Sequence, residues 1–396
     1  MYQKRNHNIA VMCGTILLNL FFQFTWYPLL PLQLRALGAN DLEVGVSYTL
    51  IGVARTLFAV IGGTLADRYG RKALLVMPIV LSIPLYLIAA LTDQWPVIVT
   101  MFVVANALGA LTSPAYSALI AESSDSTRVA RSYSFTEFSA LVGVIAGPLV
   151  GAALLGVLDI PKMMLLYTLT LVFTTSVRAW GLSETHHRSP VERSRAPVLA
   201  AIDSRVRWYM VLGTCMVVAF AIAFGPYFTI LARDGWHNTD AEINILFAAG
   251  NAAALLGLGL GRMSDHWGGR RVLVVGLLGF GLATIAWGLA PSWEWGLVPL
   301  LIAFGFSEAA YVAQQTVQAE ITSPETRTSV FGIIGTTTGV IGGMGPALGA
   351  WLIALGGIPL PFVAAGVISL AAILAVPPLQ KKRTRTAEFA APVHAG

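Results

Sequence analysis

One spacing, 198 residues, recurs along this chain and sharply limits what it can fold into. It separates Asp67 from Asp265, Pro28 from Pro226, Arg35 from Arg233, Gly52 from Gly250, Gly63 from Gly261 and Gly70 from Gly268. The same step joins Glu122 to Glu320 and carries Gly147, Pro148 and Gly151 onto Gly345, Pro346 and Gly349. No net insertion interrupts it, so the chain reads as one unit repeated in tandem.

What the unit is follows from its apolar runs. They fall at about 9–34, 44–66, 73–91, 96–121, 130–157, 160–182, 207–231, 242–264, 271–290, 295–319, 328–355 and 359–379. Each is long enough to cross a hydrocarbon core of about 30 Å as a helix. With 56% hydrophobic and only 11% charged residues, the chain is too apolar for a water-soluble domain. We therefore expect an all-α membrane protein of twelve transmembrane helices in two pseudo-symmetric six-helix bundles. The expected division is 1–182 for the first bundle, 183–206 for a linker, 207–380 for the second bundle and 381–396 for a tail.

The first run has Lys4 and Arg5 ahead of it but continues past Trp26 and Pro31, so it reads as a retained helix rather than a cleaved leader. All but four of the 25 Lys and Arg residues fall in segments on the side of the termini, or at helix ends there; the exceptions are Arg35, Arg55, Lys162 and Arg233. By the positive-inside rule both termini are expected in the cytoplasm, with the protein in the cell's inner membrane. The net charge of +5 then reflects topology and gives no reason to invoke nucleic acid. Cys13 and Cys215 sit singly in apolar runs, and the chain shows no metal, nucleotide or nucleophile motif. No cofactor and no enzymatic chemistry are expected.

Polar residues inside the spans mark the candidate site. Asn19, Gln23 and Trp26 or Tyr27 share a face of the first helix, which reads as facing water or substrate; bonding of Asn19 and Gln23 to neighbouring helices is the alternative. Arg55 lies near the middle of the second span, where a charge costs about 2.5–3.5 kcal/mol on insertion scales, so it should face a cavity or an acid. Its repeat partner is Ala253, so its role belongs to one half. Asn106, Ser113 and Tyr116 lie on neighbouring turns of the fourth run, and Phe220, Phe224 and Tyr227 on one face of the seventh. In the tenth, Glu308, Tyr311, Gln315 and Gln318 share a face. The offset maps Tyr311 and Gln315 onto Ser113 and Ser117, so these faces are expected to oppose each other across the pseudo-symmetry axis. Glu308 would be the deep acid able to exchange a proton; a fixed structural partnership with Arg55 is the alternative. Glu137, about two turns into the fifth run, reads more readily as an interfacial or loop-pairing acid than as a transport residue.

The stretch Gly62 to Lys72, GGTLADRYGRK, ends one span and starts the next, and GRMSDHWGGRR repeats it from Gly261. In Gly63, Asp67, Arg68, Gly70, Arg71 and Lys72 the chain resembles the major facilitator superfamily. Locally, Gly63 would admit a neighbouring helix, Asp67 would cap a helix amino terminus, and Gly70 would permit the turn. Glu122 is placed to pair with Arg71 or Lys72, and Glu320 with Arg270 or Arg271. The resemblance implies that this cluster, with Asp265 in the second copy, latches the halves on the cytoplasmic side in an outward-open state. The string Gly143, Gly147, Pro148, Gly151 resembles the helix 5 element of the family's antiporters, although packing of small residues accounts for it equally. Gly345, Pro346 and Gly349 would form its counterpart, as a symmetric hinge. Ala105 stands where drug-exporting members often carry an arginine, which departs from the usual coupling pattern.

These features imply a secondary transporter working by alternating access, coupled to protons and exporting a lipophilic or amphipathic molecule as a monomer in the bilayer. An organic-anion symporter or exchanger using Arg55 as the substrate's counter-charge is the alternative. A non-transporting membrane sensor is a third, weaker reading.

Overall fold

The computed structural model describes residues 2–125, 129–185, 202–262, 264–322 and 327–379. Most of the expected linker and the whole of the expected 381–396 tail lie outside the described residues, as does the side chain of Asp265. Every regular element among the described residues is helical. The twelve spans are α1 (His7–Ala36), α2 (Asp41–Tyr69), α3 (Arg71–Leu91), α4 (Trp95–Ser123), α5 (Arg131–Leu154), α6 (Ile160–Gly181), α7 (Ser204–Gly235), α8 (Asp240–Arg262), α9 (Gly269–Gly288), α10 (Trp293–Ile321), α11 (Val330–Gly356) and α12 (Pro359–Ala375). They alternate in direction, so the first and last helices end on one side, here the terminal side; the other is the far side.

Local chemistry sets the helix ends. Asn40 and Glu43 form a reciprocal cap that opens α2, each side chain bonding the other's backbone at 2.8–2.9 Å. Asp159 and Asp203 accept amide bonds at 2.9 Å from Lys162 and Val206 and open α6 and α7. Gly70 and Gly268, one repeat apart, adopt φ of +94° and +83°, a region L side chains avoid, and so turn α2 into α3 and α8 into α9.

The long helices are broken at matching places. In α1 the α-helix stops at Phe24 and resumes at Leu30 after a 3-10 turn over Tyr27–Leu29 that contains Pro28. In α7 it stops at Ala223 and restarts at Pro226. Carbonyls released by the first break are taken up by the other bundle: Asn244 Nδ2 donates to Thr25 O at 3.1 Å, and Thr229 Oγ1 to Pro28 O at 2.7 Å. A third break, at Gly343 and Met344 in α11, frees the Ala347 amide, which donates to Thr49 Oγ1 of α2 at 3.0 Å.

Small residues let helices meet backbone to backbone. A Cβ on Gly147 would lie 2.4 Å from Phe21 O, and one on Gly151 2.2 Å from Thr25 O, which presses α5 onto α1. In the second bundle Gly345 packs on Val218 and Ala221, and Gly349 on the Tyr227 ring, setting α11 on α7 in the corresponding way. Gly143 continues the first stripe against Leu17 and Leu20, and Pro148 sits within α5.

The two bundles close on the far side. Arg35 Nη1 meets Asp234 across the interface at 2.6 Å while its Nε reaches Asp41 at 3.3 Å. Helices α2 and α11 touch from Gly45 against Pro346 to Thr56 against Gly339. Beyond that level, toward the terminal side, Ala59 and Val60 face Phe331, Gly332 and Gly335 across an open cavity. The molecule is thus sealed at the far side and open at the terminal side.

Candidate functional site

A cavity of about 590 Å³ occupies the first bundle, lined by residues between Met12 and Arg178. Helix α1 contributes Asn19, Gln23 and Tyr27, α2 contributes Arg55, and α4 contributes Asn106, Ser113 and Tyr116. Ser82 and Tyr86 of α3, Glu137 of α5 and Tyr167 with Arg178 of α6 add to the polar wall. The i, i+4 spacing of Asn19 and Gln23 works here because α1 is regular up to Phe24. Thr174 Oγ1 donates to Asn19 Oδ1 at 2.6 Å, which leaves the amide NH₂ of Asn19 for the cavity. Asn106 spends one donor on Phe102 O at 2.9 Å.

Arg55 is exposed to this cavity and also to the second one, between the bundles. It makes no ion pair with a described residue. Glu137 is exposed in the cavity as well. Glu308 is half-buried on α10, its Cβ 2.9 Å from where a Cβ on Gly257 of α8 would be. The charge whose field reaches Glu308 is Glu137 of the opposite bundle, and no ion pair joins Glu308 to Arg55.

Several expectations need correction. Trp26 is 1% exposed and stacks on Phe102 with centroids 5.6 Å apart. The break after Phe24 swings it off the Asn19–Gln23 line and into the core. Tyr227 is fully buried and donates its hydroxyl to Pro346 O, because the break at Gly225 turns it away from Phe220 and Phe224. Phe220 and Phe224 themselves pack on Phe280 and Phe304 inside the second bundle, at 4.6 and 4.3 Å between centroids. Tyr311 and Gln315 are exposed but line neither described cavity. Gln318 is buried, accepting from the Tyr209 hydroxyl at 3.2 Å. The polar wall of the first-bundle cavity is thus drawn from the first bundle alone, and the exposed Tyr311 and Gln315 of α10 are not part of it.

At the turn after α2, the close approach belongs to Gly62, where a Cβ would sit 2.6 Å from Leu111 O; Gly63, the expected position, has nothing within 4 Å. The cap expected of Asp67 is supplied by Glu184, whose carboxylate accepts from the Arg71 and Lys72 amides at 2.9 and 3.1 Å. Asp67 instead pairs with Arg71 at 2.8 Å, and Arg71 also reaches Glu122 at 3.3 Å. In the second copy Arg270 reaches Glu320 at 3.4 Å, while Arg271 is exposed. Arg68 lies over the Tyr69 ring.

The residue that sequence reasoning missed is Arg178. It is 6% exposed, one turn from the end of α6, and its Nε donates to Thr15 Oγ1 at 2.9 Å. Its position near the end of an apolar run made it look like one more cation on the side of the termini. Thr15, Asn19 and Gln23 at steps of four were the available signal.

Comparison with known proteins agrees with this architecture. The family model of the Major Facilitator Superfamily matches residues 12–236 and again 210–395. A multi-drug resistance efflux pump PmrA homolog of Lactococcus lactis is 24% identical over 63% of this chain, and the match spans 64% of that protein, just under two thirds of its length. The enterobactin exporter EntS of Shigella flexneri is 25% identical over 74% of this chain and 72% of its own. Among solved structures, a bacterial homolog of the human lysosomal transporter Spinster, inward-facing and occupied, superposes with a TM-score of 0.72 at 15% identity, covering 95% of both chains. The human organic anion transporter MFSD10 gives 0.70 at 16% identity over 94% of this chain and 99% of its own. Likeness at that identity concerns the fold.

Proposed function

This chain belongs to the Major Facilitator Superfamily, and from that footing we propose that it exports an amphipathic or lipophilic small molecule by proton-coupled alternating access. The observation that carries this reading is the cavity within the first bundle with its few convergent polar side chains, in a molecule whose bundles meet at the far side through Arg35 and Asp234. A cavity of this size, largely apolar with a few convergent polar groups, suits a small organic molecule. The names of the PmrA homolog and EntS, an efflux pump and an exporter, support outward transport.

In this scheme Glu308 and Glu137 carry the coupled proton. Glu308 is half-buried on α10 and Glu137 is exposed in the first-bundle cavity, so the two acids lie on opposite bundles. Inward proton movement supplies about 2.3 kcal/mol per charge per 100 mV of membrane potential. The terminal side is the cytoplasmic side of the inner membrane, supported by its excess of Lys and Arg. The protein works as a monomer, with 1–182 and 207–380 rocking about the interface and the Asp67–Arg71–Glu122 cluster meeting the other bundle when the terminal side shuts. Glycine pairs such as Gly147 with Gly151 and Gly345 with Gly349 provide the sliding contacts.

A second reading, exchange or symport of an organic anion with Arg55 as counter-charge, is favoured by Arg55 making no ion pair with a described residue while lining both cavities. The test begins with a thermal-stability screen of purified protein against small solutes at two pH values. Each ligand found is then followed in proteoliposomes with an imposed pH gradient. Gradient-driven movement that is lost in Glu308→Gln or Glu137→Gln is the expected result. Movement indifferent to the gradient and to both substitutions would remove proton coupling, and collapse confined to Arg55→Lys would favour anion exchange.

A further inference from the structure

Building on the transport reading above, we propose that the cavity of the first bundle takes an amphipathic organic anion, its carboxylate-type head group held by Arg178 and its aromatic or apolar body lying along the tyrosine wall toward Arg55.

Arg178 is the most deeply buried cation among the described residues, and it has no acid against it. Its one protein partner is a neutral hydroxyl: Thr15 gives its own proton to Val11 O at 2.8 Å and accepts from Arg178 Nε at 2.9 Å. That bond orients the guanidinium, and among the described residues no acceptor is bonded to its Nη donors, while the residue lines the cavity. A guanidinium taken out of bulk water without a counter-charge is costly, and the cost is recovered when an anion enters. The planar fork of an arginine fits a carboxylate with two parallel bonds, which a lysine cannot reproduce.

The surroundings favour the same sign of charge. Three charged residues line the cavity, Arg55, Arg178 and Glu137, and Glu137 pairs with neither arginine. The neighbouring polar groups include donors, the amides of Asn19 and Gln23. Tyr86 and Tyr167, which line the cavity with the two cations, meet edge to face at 5.0 Å. The field of Arg178 falls on Tyr167 and Tyr116, and that of Arg55 on Tyr27 and Tyr86. An anion at Arg178 therefore places its body on ring faces and edges rather than in water.

The experiment uses three probes with one apolar body and different heads: 1-pyrenebutyrate, 1-pyrenebutanol and 1-pyrenebutylammonium. Binding to the purified full-length protein is read from pyrene fluorescence, and movement is read in proteoliposomes. The expected result is that the butyrate binds at least tenfold more tightly than the alcohol and the ammonium more weakly than both. In Arg178→Gln the butyrate should lose that advantage and bind like the alcohol, and Arg178→Lys should keep only part of it. Equal binding of the three probes by the unsubstituted protein, or no binding of the butyrate, overturns the proposal without any variant having to fold. So does an intact butyrate preference in Arg178→Gln. If the butyrate is preferred yet no probe crosses the membrane under any gradient, the anion site stands and the transport reading falls. If the alcohol or the ammonium is carried as well as the butyrate, transport stands and the anion site falls.

Discussion

Arg35 and Asp234 join the two bundles at the far side through a 2.6 Å contact between residues 199 apart in sequence. Arg35 also holds Asp41, so one guanidinium spans the start of α2 and the end of α7. In the second bundle Arg233 pairs with Asp240 of its own bundle, a near-copy of the Arg35–Asp41 pair. Only the first-bundle arginine reaches across.

Replacing Arg35 with Gln should loosen the far side. Both partners are about one-third exposed, so the pair contributes on the order of 0.2–1 kcal/mol, up to about a fivefold shift between closed and open populations. The measurement is the labelling rate of a cysteine placed at Thr229, in a protein lacking Cys13 and Cys215, with a charged maleimide added from the far side. An unchanged rate would show that the remaining bond from Asn244 to Thr25 and the packing around it hold the seal unaided.

Gly62 and Gly63 should respond in opposite ways to alanine. At Gly62 the new methyl would press on Leu111 O of α4 at 2.6 Å, and overpacking of this kind costs about 1–3 kcal/mol. At Gly63 it meets nothing within 4 Å, so the substitution should be neutral or slightly stabilising. Thermal unfolding of the two variants in detergent compares them directly. Equal losses would mean that the turn needs flexibility at both positions.

Tyr227→Phe should lower stability while leaving ligand affinity unchanged. The hydroxyl satisfies the buried Pro346 carbonyl, and leaving such a group unpaired costs about 1–3 kcal/mol. A change in the dissociation constant of a ligand found by screening, with stability intact, would return Tyr227 to the binding site.

Asp203→Ala should cost about 0.5–2 kcal/mol at neutral pH through loss of the cap on α7. Partial burial pushes this carboxyl up, but bonds from the Val206 amide and from Arg205 outweigh it and hold it below the usual carboxylate range. A depressed acid contributes its stabilisation fully above its unfolded value of about 3.9 and loses it as pH falls through the lower folded value. The gap between the variant and its parent should therefore be constant from pH 7 to about pH 5 and shrink toward pH 3. A gap that widens on acidification would contradict the cap.

The duplication, the helix count and the turn at Gly70 were legible in the sequence because they depend on local chemistry: run length, a fixed offset, and a residue without a Cβ. The face of each helix was clear while the helix stayed regular and ambiguous beyond a break. Asn19 and Gln23, before the break in α1, line the cavity; after it Tyr27 does and Trp26 does not. Tyr227 was lost in the same way beyond Gly225. A proline marks roughly where a helix breaks, but the rotation that follows is set by what the neighbouring helix offers, here Asn244 and Thr229 for α1. Arg178 was hidden for another reason. Distance from a helix end says how deep a residue lies, and says nothing of whether six helices close around it.

The one-sided wall of the cavity has a consequence for how the two copies diverge. If cargo is gripped by a single copy, its sibling acts as a shutter that decides which compartment the cargo sees. Selection on cargo choice would then fall on residues 12–178, and selection on stroke and timing on the remainder. Two halves born identical could thus drift apart in chemistry while keeping the backbone symmetry that lets them move as a pair.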